Sequence, residues 1–468
     1  MKVTSASFKA NAKRALGDEA LRQATARTAQ TLYSRRKAAA LAPDFEALRD
    51  YCARVKAHTL EHLDLYLERL VAAVEARGGE VHFAADAAEA RALVMELCAR
   101  EGARRVVKAK SMLAEELELN EALEAAGVTV VETDLGEYIL QLSHDVPSHI
   151  IAPVIHKSRA QIAELFHARL GTPPDADAPT LAAAAQAALR EAFLSADMGI
   201  TGANFAVAET GSVVLVENEG NIRLTTSLPR VHVAVVGLEK LIPRLRDLPA
   251  FLRVLSRSAT GQKASSYVSL VTGPRRAGER EGPERFHLLL VDNGRSAVLA
   301  DEALRDALRC IRCGACLNAC PVYRQVGGHA YGWVYPGPIG AILDPGLLGL
   351  EQTRELPQAS SLCGACSEVC PVKIPIDALL LEQRRRAVAR GLTATGERLG
   401  VGAFAFVASR PALWQTTTAL GRTFSSLVAE EGYLKGAWLP VLRAWLEERD
   451  FPQPAKRSFR ERWRRGEV

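Results

Sequence analysis

The chain has 468 residues, 48% hydrophobic and 24% charged, with a formal net charge of +5. This is the balance of an ordinary soluble globular protein of about three domains, and so modest a charge gives no case for nucleic acid. The most apolar stretch, Val401 to Leu420, is broken by Arg410-Pro411 and the polar run Gln415 to Thr418, which argues against a membrane span.

Residues 1–75 read as helix. Alanine, arginine, glutamate and leucine dominate, and Leu60, Leu63, Leu67 and Leu70 form a stripe at helical spacing. The first residues lead into this charged pattern rather than into an apolar signal core. Cys52 here, and Cys98 further on, are read as small buried hydrophobes.

Residues 76–297 alternate strand and helix. Strands are expected at Glu80–Phe83, Arg105–Ala109, Val128–Glu132, Ala206–Ala208, Ser212–Val216, Val231–Val236 and Leu288–Asp292, with helices over Ala88–Arg100 and on to Glu124. That order predicts an α/β domain with a mostly parallel sheet and crossover helices. Within it, Ser143–Ile150 with His156 and Lys157 reads as a polar loop suited to an anion rather than a metal motif. Asn204–Arg223 carries polar residues at strand ends, where α/β folds place binding sites, but ordinary hairpin turn chemistry is the simpler reading.

Residues 298–390 hold seven of the nine cysteines. The first run, Cys310-x2-Cys313-x2-Cys316-x3-Cys320-Pro321, has the spacing of bacterial ferredoxins. The second is Cys363-x2-Cys366-x3-Cys370-Pro371. Three sulfurs of a C-x2-C-x2-C loop wrap one cluster, and the fourth cysteine points on to the other. Cys310, Cys313, Cys316 and Cys370 are therefore expected to hold cluster one, and Cys320, Cys363 and Cys366 cluster two. Zinc fits C-x2-C pairs but not these two runs together, and disulfides are unexpected without an export signal. With thiol-ligated clusters and no apolar signal core in the first residues, the cytoplasm is the expected compartment. The expectation is a helical two-cluster ferredoxin-like domain with short helices framing the clusters.

Cluster two lacks a ligand. The position three residues before Cys363 is Ser360, and a hydroxyl is a harder, poorer ligand for iron than thiolate. A four-iron cluster with a non-cysteine fourth ligand, an open iron and a three-iron cluster all remain open. His329 is a conceivable substitute, although a lone loop histidine is more often simply solvated.

Residues 391–468 read as a helical C-terminal region. It contains Trp414, Trp438, Trp445 and Trp463 and ends in a basic tail, Lys456 to Arg465, taken as a solvated or partner-facing surface. Gly400-Val401-Gly402-Ala403-Phe404-Ala405 matches a dinucleotide pattern but follows no strand, so it is discounted. No group that accepts a hydride equivalent is evident, whereas clusters take one electron at a time.

The order of these segments carries a resemblance. AETGSVVLVENEGN, SATGQ and TGPR, then CIRCGACLNACPVYR, GPIGAIL and LCGACSEVCPVKIPI, together resemble the lactate utilization protein B family over nearly the whole chain. The resemblance implies two [4Fe-4S] clusters on the ligand sets above, in a pattern that also lacks the eighth cysteine. It implies an electron-carrying subunit of a system oxidising L-lactate to pyruvate and supporting growth on lactate. The implied partners are a cysteine-rich component and a second α/β-domain component. It identifies neither a lactate site nor a catalytic residue. Two other readings stand beside it: the α/β domain is itself a catalytic or small-anion-binding unit served by the clusters, or the chain is an assembly scaffold.

Overall fold

The computed structural model describes residues 2–434, 446 and 449–467. Trp438 and Trp445 of the expected C-terminal helical region lie outside the described residues. The chain forms two compact units, Met1–Gly391 and Leu392–Val468.

In the first unit, six strands make one parallel sheet. They are β1 (Glu80–Ala84), β2 (Arg105–Lys108), β3 (Thr129–Glu132), β4 (Met198–Thr201), β7 (Val231–Gly237) and β10 (Arg285–Val291), in the order β1-β10-β7-β4-β2-β3. A smaller sheet, ordered β8-β5-β6-β9, contains β5 (Phe205–Val207), β6 (Ser212–Glu217), β8 (Leu241–Ile242) and β9 (Tyr267–Val271). Its β5–β6 pair is the antiparallel hairpin expected over residues 204–217.

The centre of the large sheet is covered on both faces, so β4, β7 and β10 are almost entirely buried and mostly apolar. On one face Val231, Val233, Val235 and Leu289 meet Ala90, Val94 and Leu97 of the helix Ala87–Glu101. On the other, Ala234, Val236, Leu288 and Leu290 meet Leu70 and Val74 of the helix Leu63–Glu75 and Val213 and Leu215 of β6. Helix starts follow their capping residues. Asp86, Ser111, Asp134 and Asp177 each accept a first-turn N–H, and Ser158 with Gln161 forms a capping box.

β4 was not expected. Gly199 lowers its strand signal, yet a Cβ there would lie 2.0 Å from the Thr225 carbonyl oxygen. The glycine lets the helix Asn221–Ser227 lie directly on the strand. β9 was also missed; it is an edge strand whose side chains are mostly exposed.

The N-terminal helices Phe8–Leu16, Glu19–Ala39 and Phe45–Glu61 share one core with the cysteine segment. Phe8 packs 5.2 Å from the Tyr331 ring, and Phe45 and Cys52 belong to the same cluster of buried side chains as Cys316 and Cys370. Cys52 and Cys98 are both buried.

The second unit contains the helices Thr395–Ala408 and Pro411–Val428, a short pairing of Tyr433–Leu434 with Phe451–Pro452, and the helix Phe459–Arg464. Gly400–Ala405 lies inside the first of these helices. Among the described residues no helix is long and apolar enough to cross a membrane.

Candidate metal centre

The two cysteine runs adopt the same backbone. Arg312 (φ 60°) and Leu362 (φ 54°) precede Cys313 and Cys363, and Gly314 (φ 72°) and Gly364 (φ 79°) follow them. Short helices, Ala315–Ala319 and Ala365–Val369, come next. The last cysteine of each run, Cys320 and Cys370, leaves in extended conformation (ψ 121° and 119°) into Pro321 and Pro371. Left-handed non-glycine residues cost on the order of 1–2 kcal/mol each, so their recurrence at equivalent positions marks a geometry imposed by the site.

Cys310, Cys313, Cys316 and Cys370 line one small cavity, closed by Ile150, Ile339, Val372, Ile374 and Ile376. Cys320 lies close enough to Cys363 and Cys366 for their charges to interact. All nine cysteines are free thiols. Burial pushes Cys366 up to about 12 and Cys370 to about 11, and Cys313 and Cys316 are raised further by burial and then by neighbouring sulfurs. Thiols so crowded and desolvated ionise only against a strong local positive charge, which bound iron provides. Backbone N–H groups already face three sulfurs: Arg312 donates to Cys310 Sγ (3.4 Å), Tyr323 to Cys320 Sγ (3.5 Å) and Ile374 to Cys370 Sγ (3.4 Å). This donor set fits iron–sulfur clusters.

Ser360 stands in the second run where Cys310 stands in the first. Its Oγ accepts the Leu362 N–H at 3.0 Å, the same residue-to-residue-plus-two bond that Cys310 Sγ makes with Arg312. Arg384 fixes this strand of chain by donating to the carbonyls of Pro357 (2.7 Å) and Ser360 (2.6 Å). Cys363 is exposed, unlike the other six cysteines of the two runs.

The polar loop at 143–157 packs on the first run. His149 is fully buried; its Nδ1 accepts the N–H groups of Ile151 and Ala152 (both 3.0 Å), so its Nε2 carries the proton and donates to Asn318 Oδ1 (3.1 Å). Burial and then Lys110 push it down to about 3, and it stays neutral. A Cβ at Gly314 would approach this ring within 3.2 Å. Asp145, His156 and His329 also come together, which their spacing did not suggest. His156 donates to Asp145 (3.0 Å), Lys157 pairs with the same carboxylate (2.6 Å), and His329 donates to the Val146 carbonyl (2.8 Å). His329 is thus held in a closed polar network rather than solvated.

A second cavity, of about 280 Å³, opens at the carboxyl ends of the parallel strands. It lies between the segments that leave β2 (Ala109–Leu113) and β4 (Thr201–Asn204). The chain leaves β2 for β3 on one side and β4 for β7 on the other, so this is the switch point where open α/β sheets bind ligands. The turn Glu217–Asn221 forms another wall, which places the expected strand-end residues at a cavity after all. Glu217 accepts the N–H groups of Ile222 (2.7 Å) and Arg223 (3.0 Å). Glu219 is pushed up to about 7 by burial and by Asp134.

The remaining wall is cationic and reaches the first cysteine run. Arg295 forks onto Glu116 (2.8 Å twice) and donates to Glu239 (2.6 Å). Arg312, between Cys310 and Cys313, donates to Glu239 (3.2 Å) and stacks 4.4 Å over the Tyr335 ring. Burial alone would raise Glu239; Arg295 and Arg312 hold it down to about 2. Lys240 lines the cavity as well. The sequence reading passed over Lys110, Lys240, Arg295 and Arg312. Only Arg312 had a local signal, its place inside the ferredoxin-type run.

Residues 67–291 match the LUD domain family, 306–374 the 4Fe-4S dicluster domain, and 386–468 the C-terminal domain of lactate utilisation protein B. The chain is 46% identical to lactate utilization protein B of Shouchella clausii, over 98% of this chain and 97% of that one. It is 45% identical to the uncharacterized electron transport protein YkgF of Escherichia coli, over 98% and 97%. Lactate utilization protein B of Bacillus licheniformis is also 45% identical, again over 98% and 97%. Likeness at this level along the whole length places the chain in the lactate utilization protein B family.

Proposed function

We propose that this protein is the iron–sulfur electron-transfer component of a complex that oxidises L-lactate to pyruvate in the cytoplasm and supports growth on lactate. The reading is carried by one observation: two cysteine runs of matching backbone bring thiols of both runs to a single buried cavity, within a chain whose relatives are named for lactate utilization. Cys310, Cys313, Cys316 and Cys370 would hold one [4Fe-4S] cluster and Cys320, Cys363 and Cys366 the other, with Ser360 at its fourth position. When bound, the clusters supply one-electron transfer.

The protein's own residues hold and shield these donors. Arg49 donates to the carbonyls of Cys370 (2.8 Å) and Glu368 (2.6 Å), and Arg36 to that of Val369 (2.9 Å), fixing the end of the second run. Ile150, Ile339 and Ile374 keep water from the four-thiol cavity. Exposed Cys363 gives the second run the shorter path to solvent and to a partner. The helices Thr395–Ala408 and Pro411–Val428 expose Leu399, Phe404, Leu420 and Leu427, an apolar surface suited to other lactate-utilization proteins, a cysteine-rich component and a second α/β-domain component.

The test is anaerobic purification of the chain with and without its co-encoded partners, followed by L-lactate addition and optical and paramagnetic-resonance detection of cluster reduction. Reduction only with the partners is the expected result. Reduction of the isolated chain would make the α/β domain the oxidising unit. No reduction under either condition would leave a scaffold.

A further inference from the structure

We infer that the switch-point cavity is a binding site for a small monocarboxylate of the 2-hydroxy or 2-oxo acid class, held by Lys240 and Arg312 beside the first cysteine run.

The cavity is small and carries several charged and polar side chains in its lining. Its volume of about 280 Å³ is at the lower limit of ligand sites, which start at roughly 300 Å³, and it suits a metabolite of a few heavy atoms rather than a nucleotide. Most charges around it are already engaged. Glu239 is neutralised by Arg295 and Arg312, and Arg295 also serves Glu116. Glu217 is bonded to the backbone of the helix it precedes, Asp134 caps the helix Leu135–Ser143, and Glu219 accepts the Leu135 N–H at 3.2 Å.

Two cationic groups are left over. Arg312 is only 7% exposed, and its Nη1 has no hydrogen-bond partner among the described residues. A buried guanidinium N–H without an acceptor costs about 1–3 kcal/mol, so such a group implies an acceptor that the protein itself does not supply. Lys240 makes no hydrogen bond or ion pair among the described residues. Its backbone is fixed from behind, because Lys56 Nζ donates to the carbonyls of Glu239 and of Leu241 (3.3 Å) on either side. Burial and the neighbouring Arg312 disfavour the Lys240 charge, and Glu239, already bonded to both arginines, and Cys310 act against this. A carboxylate supplies one negative charge and two acceptor oxygens, which meets both needs. Ser111, Asn204 and Asn218 also line the cavity and offer partners for a hydroxyl or keto oxygen on the next carbon.

This inference takes its choice of acid from the lactate-utilization reading, but the site stands on geometry. The test is calorimetric titration of anaerobic, cluster-loaded protein with L-lactate, pyruvate and propionate. Binding of lactate or pyruvate is expected, weaker for propionate, and weakened at least tenfold in Lys240→Gln with iron and sulfide content unchanged. Lys110 also lines the cavity, pairs only loosely with Glu137 (3.6 Å), and its Nζ makes no hydrogen bond among the described residues. Lys110→Gln gives a second variant should Lys240→Gln fail to load its clusters, and it should weaken binding several-fold. No binding of any of the three acids by fully loaded protein would overturn the site and leave the electron-transfer reading standing. Unchanged affinity in the loaded variant would do the same. A shifted cluster potential with full affinity would also overturn it, assigning Lys240 to charge balance at Cys310. Failed lactate-dependent cluster reduction with intact carboxylate binding would count against the electron-transfer reading alone.

Discussion

The two cysteine runs share their backbone and differ in their surroundings. Both carry left-handed residues around their second cysteine position, and both lead through a five-residue helix into Cys-Pro. The first is enclosed by the His149 loop, the N-terminal helices and the cation-lined cavity, and three of its four cysteines are buried. The second has a serine at its first position and an exposed cysteine at its next. One local fold has thus been set in two dielectric environments. The environment, more than the loop, controls how stable and how accessible each set of donors is.

The largest expected effect tests whether the runs interleave. Cys370→Ser should remove the cluster of the first run although Cys370 belongs to the second, and Cys320→Ser should remove the other. Iron content should fall by about half in each, since two four-iron clusters are expected. Paramagnetic resonance identifies which signal is lost; loss of the signal of the mutated run would break the pairing.

Next comes the single chemical difference between the runs. Ser360→Cys restores a thiolate at the position where the N–H of Leu362 already waits. It should slow oxidative iron loss several-fold and suppress a three-iron signal in air-exposed protein. An unchanged rate would mean that another group already completes the second site.

A smaller effect tests the clamp on the second run. Arg49→Ala removes donors to two carbonyls, of Glu368 and Cys370. It should destabilise the loaded protein by about 1 kcal/mol, the net worth of charged hydrogen bonds to one exposed and one partly buried carbonyl. Denaturant unfolding under anaerobic conditions measures this, and a change under about 0.5 kcal/mol would place the clamp elsewhere.

The smallest effect concerns the loop that encloses the first run. His149 is held neutral, with its protonation pushed from 6.5 down to about 3 by burial and Lys110. The unfolded chain takes up that proton near pH 6.5 and the folded chain does not. Stability from this group is therefore complete above pH 6.5 and is lost as pH falls toward 3. His149→Gln should flatten the dependence of the thermal midpoint on pH in that window. An identical slope in the variant would show that His149 is not a source of acid lability.

What could be read from the residues alone is local. Ligand spacing, small residues after the cysteines and the terminal prolines are adjacent in the chain, and the loop geometry that iron requires is set over a few residues. The apolar runs of β2, β3 and β7 are likewise local, because a strand covered on both faces declares itself as a continuous hydrophobic stretch. β4 escaped for the opposite reason: Gly199 is there for a helix that packs onto the strand from residues 221–227, a contact no window of sequence contains.

Of the cavity, local reading reached only the strand-end polar residues within 204–223, and not the cations that share its lining. Lys110, Asn204, Glu217, Lys240 and Arg312 come from five separate segments. Their meeting depends on a strand order in which the chain turns opposite ways after β2 and β4. Charge carries no periodicity that announces a partner, so Lys240 looks in the sequence like any surface cation, and Arg312 is marked only by its place between two cysteines. Only the tertiary structure brings them to one cavity, with Arg312 buried and Lys240 partly so, and removal from water is what turns an ordinary lysine and arginine into groups in need of an anion.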